Sequence, residues 1–95
     1  AKIQGFRVEL GEIEHHAREF YNKEYRVVAI AFDNTQKLTE IALFVESAEQ
    51  DIQSLLTHLR SKMPHYRIPS RIIFEQTFPL NKSEKIDRNI LKSKL

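Results

Sequence analysis

The sequence predicts a small α+β domain: a sheet of about three strands, a hairpin plus one, flanked by about three helices and preceded by a short N-terminal β segment. Three observations predict it. Apolar residues recur at helical spacing in separate stretches; two nearly continuous apolar runs stand on either side of a turn-prone segment; and the chain has 95 residues, 41% of them hydrophobic, which allows one domain around one modest core.

In chain order, Lys2–Glu9 alternates imperfectly, with Ile3, Gly5, Arg7 and Glu9 against Gln4, Phe6, Val8 and Leu10, and reads as a short strand pair or β-like turn. Gly11 to Asn22 places Ile13, Ala17, Phe20 and Tyr21 on one stripe and predicts the first helix. Arg26–Phe32 and Thr39–Ser47, joined by the turn-prone Asp33–Lys37, predict a hairpin. Apolar residues are nearly continuous from Val27 to Phe32 and from Ile41 to Val45, the pattern of strands covered on both faces. Ser47 and Gln50 have capping-box spacing, and Ile52, Leu55, Leu56, Leu59 and Met63 carry a second helix up to Pro64. Pro64 and Pro69 bracket His65-Tyr66-Arg67-Ile68, predicted to be extended, and Arg71–Glu75 follows as a short strand. A third helix is predicted from near Asp87, with Ile90, Leu91 and Leu95 inward.

Composition narrows the function classes. There is no Cys, which removes disulfides, thiolate metal sites and cysteine nucleophiles and agrees with a reducing, cytoplasmic location. No apolar run approaches the ~18 residues that a membrane span requires, and no signal-peptide pattern opens the chain. The net charge of +2 hides a polarity: residues 1–59 hold six Lys/Arg and ten Asp/Glu, net −4, and residues 60–95 hold nine and three, net +6. A basic carboxyl-terminal third suits nucleic acid, a phosphate-bearing small molecule or an acidic protein, and composition does not choose among them.

Side-chain chemistry removes several candidates. His15 and His16 lie near Glu12 and Glu19, but adjacent helix residues point ~100° apart, so the two imidazoles cannot close on one ion. No metal is expected; His58 and His65 are isolated and read as surface or packing residues. No Ser stands in a Gly-flanked elbow, and two glycines, Gly5 and Gly11, are too few for a phosphate-cradling loop. Lys82, Lys85, Arg88, Lys92 and Lys94 could meet nucleic acid, but the aromatic interleaving of single-strand binders is missing. Two segments stand out. Lys2 to Glu14 packs charges and two glycines into a stretch that begins as strand, and Pro79 to Arg88 is a polar loop presenting Lys85 just ahead of a helix.

In this order the two segments resemble the last core motifs of the adenylate-forming superfamily, which contains acyl-CoA synthetases, firefly luciferase and nonribosomal peptide synthetase adenylation domains. Lys2-Ile3-Gln4-Gly5-Phe6-Arg7-Val8-Glu9 to Glu14 is similar to the signature K-I-x-G-F/Y-R-I/V-E-x-x-E-I-E, and Pro79 to Arg88 to P-L-T-x-N-G-K-I/V-D-R. Between them, Met63-Pro64-His65-Tyr66-Arg67-Ile68-Pro69 is similar to L-P-x-Y-M-I/V-P. Glu9, Leu10, Gly11 and the Asp87-Arg88 ending look more like the amino-acid-activating members, including D-alanine:carrier-protein ligases.

The resemblance implies that residues 1–95 are the small carboxyl-terminal lid of a much larger ligase, an excised subdomain or separate fragment that is inactive alone, its large N-terminal subdomain absent. The family's run G-R-x-D-x-Q, with its hinge Asp, would lie before Ala1. Such ligases join a carboxylic acid to ATP as acyl-AMP, releasing pyrophosphate, and pass the acyl group to a pantetheine thiol while the lid rotates between the half-reactions. The cofactors implied are ATP with Mg2+, bound mainly by the large subdomain, and phosphopantetheine on the acceptor, an acyl or peptidyl carrier protein or coenzyme A. Carried over by position, Lys85 serves adenylation, and Gly5, Phe6 and Arg7 line the pantetheine channel, Gly5 because backbone passes close to a ligand there. Glu84 stands where the family has Gly, removing a permissive turn residue and setting an anion beside Lys85; Gln4 replaces a residue that is often basic. The alternative is a non-catalytic basic module that docks an acidic carrier protein or nucleic acid.

Overall fold

The computed structural model describes residues 2–95. Along the chain lie β1 (Lys2–Ile3), β2 (Phe6–Arg7), α1 (Leu10–Phe20), β3 (Val27–Asp33), β4 (Thr39–Glu46), α2 (Ile52–Lys62), a 3₁₀ turn (His65–Arg67), β5 (Arg71–Glu75) and α3 (Arg88–Ser93). The α+β class and the hairpin-plus-one sheet are as the sequence predicts. β1 and β2 form their own two-stranded ribbon, and the main sheet has the order β3-β4-β5. β3 pairs antiparallel with β4 from Val27↔Val45 to Asp33↔Thr39, and β4 pairs parallel with β5, a geometry that needs the long crossover supplied by α2.

The continuous apolar runs of β3 and β4 are explained by two cores. Alternate residues Val27, Ala29, Ile41, Leu43 and Val45 face one cluster with Ile13 and Ala17 of α1 and Leu55 and Leu59 of α2. Val28, Ile30, Ala42 and Phe44 face the other, with Phe78 and Leu91 of α3. Leu43, Phe44 and Val45 are wholly buried, which is why period-two alternation is invisible in the sequence there.

Three local expectations are corrected. The cap of α2 is Asp51, whose carboxylate accepts from the Gln53 amide at 3.0 Å and from Ser54 Oγ at 2.6 Å; Ser47 is buried and its hydroxyl donates instead to the Ala48 carbonyl. His65–Arg67 is a 3₁₀ turn, because the prolines constrain their immediate predecessors, Met63 and Ile68, both extended, and leave the residues between free to turn. In α3, Leu91 is buried and Ile90 is exposed: a helix this short turns a single face to the sheet.

One carboxylate ties the end of the sheet together. Glu46, mostly buried at the end of β4, accepts from Arg26 Nε and Nη2, both at 2.7 Å, and from the Phe78 amide, also at 2.7 Å. The Arg26 guanidinium lies 5.9 Å from the centre of the Phe78 ring. Hydrogen bonding from Arg26, with the Phe78 amide, outweighs burial and holds the Glu46 carboxyl below the usual carboxylate range. A depressed folded pKa contributes stability that is present above the unfolded pKa and is lost as pH falls through the folded one. Glu46→Ala is expected to lower unfolding free energy by roughly 2–3 kcal/mol at neutral pH, since it strands a buried amide. Glu46→Gln is expected to flatten the acid limb of the stability–pH curve in urea titrations. Part of that limb will persist, because Ser70 and Asn34 lower the Glu40 pKa and Ser54 and the Gln53 amide lower that of Asp51. An acid limb unchanged by Glu46→Gln would contradict the assignment.

Candidate functional site

The amino-terminal ribbon is a hairpin with a two-residue turn. Ile3 faces Phe6, and the turn residues Gln4 and Gly5 have φ of 52° and 83°, the left-handed pair that a tight hairpin of native twist requires. Gly5 meets that demand without strain. A Cβ at Gly5 would lie in open space, so within this chain the glycine answers the turn's dihedrals, and no close backbone neighbour explains it. Ile3 and Val8 are buried and anchor the ribbon, whereas Phe6 is 47% exposed and Arg7 projects outward with an exposed ion pair to Glu9 at 3.4 Å.

The Lys85 loop is built by one asparagine. Asn81 Oδ1 accepts from the Ser83 amide at 2.8 Å and from the Lys85 amide at 3.1 Å; its own amide donates to the Lys85 carbonyl at 2.8 Å. Glu84 then adopts φ 62°. The same five-residue loop occurs at residues 34–38: Asn34 Oδ1 accepts from the Gln36 and Leu38 amides, its amide donates to the Leu38 carbonyl, and Lys37 has φ 62°. The chain thus makes one turn twice, each time with a non-glycine residue in the left-handed position. Glu84, standing where the family has the permissive Gly, therefore adopts the left-handed turn conformation itself. The loop is closed by a bridge between Leu80 and Ile86, and Ile86 packs on the cluster of Val28, Phe44 and Leu91. Lys85 itself is exposed, and among the described residues its ammonium has no hydrogen-bond or ion-pair partner.

The three signature segments meet one another across α1. Phe6 stacks on Tyr66 with ring centres 4.0 Å apart and planes within 8°. Glu12 pairs with Arg67 at 2.9 Å. Glu14, with a side chain 12% exposed, accepts from the Ala29 amide at 2.8 Å and from Arg88 Nη1 at 3.3 Å. Sequence reasoning assigned no task to Glu12, Glu14, Tyr66 or Arg67. Their signal was their presence inside the signatures, but their partners lie 15 to 74 residues away.

The remaining candidates separate. His15 and His16 touch edge to face at 5.3 Å, and His16 Nε2 is 4.0 Å from Glu12. Among the described residues no three His, Asp or Glu side chains converge as metal ligands. His58 lies against Phe20 and His65 beside Tyr66. Of the five basic residues considered for nucleic acid, Arg88 is paired to Glu14 and Lys94 to Glu75. No helix among the described residues is long and apolar enough to cross a membrane.

Fold and interlocked signatures point to one class, the carboxyl-terminal subdomains of adenylate-forming ligases, with which this chain is consistent throughout. Comparison with known proteins gives the particulars. It is 38% identical over 98 residues to the anguibactin system regulator of Vibrio anguillarum, spanning 95% of this chain and 9% of that protein. With tyrocidine synthase 3 of Brevibacillus parabrevis it shares 37% identity over 92 residues, 95% of this chain and 1% of that one. It superposes with TM-score 0.82 and 31% identity on a four-domain nonribosomal peptide synthetase solved with AMP and glycine, covering 93% of this chain and 7% of that one. A fatty acyl-CoA synthetase of Mycobacterium tuberculosis shares the fold, with TM-score 0.82 and 21% identity over 99% of this chain and 19% of its own. No protein-family model matches the chain. The chain spans less than a tenth of the length of these two curated relatives.

The left-handed Glu84 yields a stability prediction. Glu84→Gly relieves a conformation disfavoured for side-chain-bearing residues and is expected to raise unfolding free energy by roughly 0.5–1 kcal/mol after the unfolded-state entropy of glycine is subtracted. Lys37→Gly should match it in urea denaturation. Destabilisation by both would show that these residues do not hold positive φ in solution.

Proposed function

We propose that this chain is the mobile lid of an ATP-dependent ligase that activates an amino acid or related carboxylic acid as acyl-AMP and transfers it to a pantetheine thiol. The observation that carries the reading is the placement of Lys85: a partnerless cation on an exposed corner whose backbone is pinned by Asn81 and whose next residue, Ile86, is anchored in the core. A point charge so held can enter a pocket belonging to another lobe and stabilise charge developing at a transferring phosphoryl group. A second observation supports a division of labour. Ile86 packs into the cluster on one side of the sheet, and Ile3 and Val8 into the cluster on the other, so the lysine loop and the Gly5-Phe6-Arg7 hairpin are anchored to opposite layers. A lid that rotates between half-reactions would present them in turn.

In this reading the partners are a large N-terminal adenylation subdomain and an acyl or peptidyl carrier protein, in the cytoplasm. ATP is a substrate, the large subdomain holds its Mg2+, and phosphopantetheine arrives on the acceptor. Lys85→Ala in the full-length ligase is expected to cut acyl-adenylate formation by about 10²–10³, the loss typical of one transition-state charge contact. Transfer from a preformed adenylate should survive. Pyrophosphate exchange and single-turnover thioester assays read the two steps separately, and equal loss in both would contradict the division.

A second reading has its own observation. Lys2, Arg71 and Lys92, none ion-paired among the described residues, line an open cleft of about 790 Å3 together with Phe32, Leu95 and one carboxylate, Asp33. A basic module would use that cleft to dock an acidic carrier protein or nucleic acid. Oligonucleotide affinity falling steeply with salt would favour the nucleic-acid version, and absence of binding at low salt would remove it.

A further inference from the structure

We propose that Tyr66 is a positioning residue for thioester transfer, acting through Phe6; the inference rests on the reading of the Gly5-Phe6-Arg7 hairpin given above. Each strand of that hairpin has two residues, and among the described residues the ribbon pairs with no other strand. An isolated two-stranded ribbon is marginal in water. Within residues 2–7 Ile3 is the one buried side chain, on the strand leading into the turn, and Val8 is buried just past the returning strand; Gln4, Gly5, Phe6 and Arg7 are exposed. On the returning strand, the contact that fixes the tip is the ring of Phe6 laid flat on Tyr66, 60 residues away in the chain. Since Phe6 stands between Gly5 and Arg7, its position sets theirs.

Tyr66 makes a firm platform. It is half-buried in the 3₁₀ turn, which is closed by the Arg67 amide on the Pro64 carbonyl at 3.0 Å and the Ile68 amide on the His65 carbonyl at 3.2 Å. Arg67 ties the turn to α1 through Glu12 at 2.9 Å and lays its guanidinium 5.8 Å from the centre of the Tyr66 ring. The helix that receives this tie begins three residues after the hairpin ends, so hairpin, turn and helix close a loop of contacts. No hydrogen bond of the Tyr66 hydroxyl occurs among the described residues, which makes the flat ring face the working part. Misplacing a channel-lining loop by an ångström is enough to cost transfer heavily without touching adenylation.

The test uses Tyr66→Ala, Tyr66→Phe and Phe6→Ala in the full-length ligase, with pyrophosphate exchange and single-turnover transfer measured separately. Tyr66→Ala is expected to slow transfer by about tenfold to a hundredfold while leaving exchange near wild type. Tyr66→Phe, which keeps the stacked face, should restore transfer. Hydrogen exchange on this chain should show the amides of residues 3–7 opening faster in Tyr66→Ala, relative to those of β3, and not in Tyr66→Phe. If Phe6→Ala impairs transfer but Tyr66→Ala does not, or if Tyr66→Phe is as slow as Tyr66→Ala, the positioning role is overturned and the hairpin reading stands. If Phe6→Ala leaves transfer intact, the hairpin reading falls and the proposal falls with it. If hairpin exchange in Tyr66→Ala is unchanged, the stack does not order the loop and the proposal is overturned on structural grounds alone.

Discussion

The architecture depends on how α1 meets the exposed edge of the sheet. β3 is an edge strand, and the Ala29 amide turns from β4 to Glu14 in a part-buried setting, with Ala29 itself 1% exposed. A buried amide without an acceptor costs as much as a lost hydrogen bond or more. Glu14 supplies the acceptor from the helix, and Arg88 bonds to the same carboxylate oxygen. One side chain therefore caps the edge strand, fixes the position of α1 along it, and tethers the start of α3. Glu12, two residues earlier, performs the equivalent connection to the 3₁₀ turn through Arg67. Both signature loops are held in place by carboxylates on a single helix.

The sorting of charge along the chain becomes intelligible through the same contacts. The acidic first part and the basic last part look in sequence like an invitation to an external partner. In the folded chain, two of the pairings join Glu12 and Glu14 from the first part to Arg67 and Arg88 from the last. Part of the polarity thus goes into internal cross-links between segments 55 and 74 residues apart, and only the unpaired remainder is available to a ligand or a partner. A count of charges overstates the electrostatic surface for this reason.

Helix and strand identity were legible because burial set the pattern. Ile13 and Ala17 mark a stripe, β3 and β4 are continuous because both faces are covered, and β5 runs over the five residues expected. The misread cap of α2 has a definite cause: Ser47 and Asp51 both have capping chemistry four residues apart, and the choice was made by burial of Ser47 at the end of β4, a tertiary fact. The 3₁₀ turn was missed because proline restricts its own φ and its predecessor and says little about residues beyond. Of the candidate site, the Lys85 loop and the hairpin stood out by their residues, and the roles proposed for them came only from their resemblance to known signatures. Glu14, Arg67 and Tyr66 also lie inside those signatures, but their contacts were not legible, since a side chain's partner far along the chain leaves no local trace in sequence.

The repeated asparagine loop bears on what the lysine loop can do. Leu38 occupies in the first copy the place Lys85 occupies in the second, and it is 60% exposed, so the turn by itself specifies outward presentation of its fifth residue, whatever that residue is. The chemistry is then set by side-chain identity alone: an apolar tip beside Gln4 and Tyr66 in one copy, a cation in the other. The backbone of the loop gains its rigidity from Asn81 and from the Leu80–Ile86 bridge, and Glu84 takes part through its backbone amide alone, which donates to the Asn81 carbonyl at 2.9 Å. Glutamate there costs local backbone energy but leaves every bond that aims the loop in place, and the same cost is already tolerated at Lys37. The exposed placement of the Lys85 ammonium therefore depends on Asn81 and Ile86, and the residue just before the lysine is free to vary so long as the left-handed turn remains accessible to it.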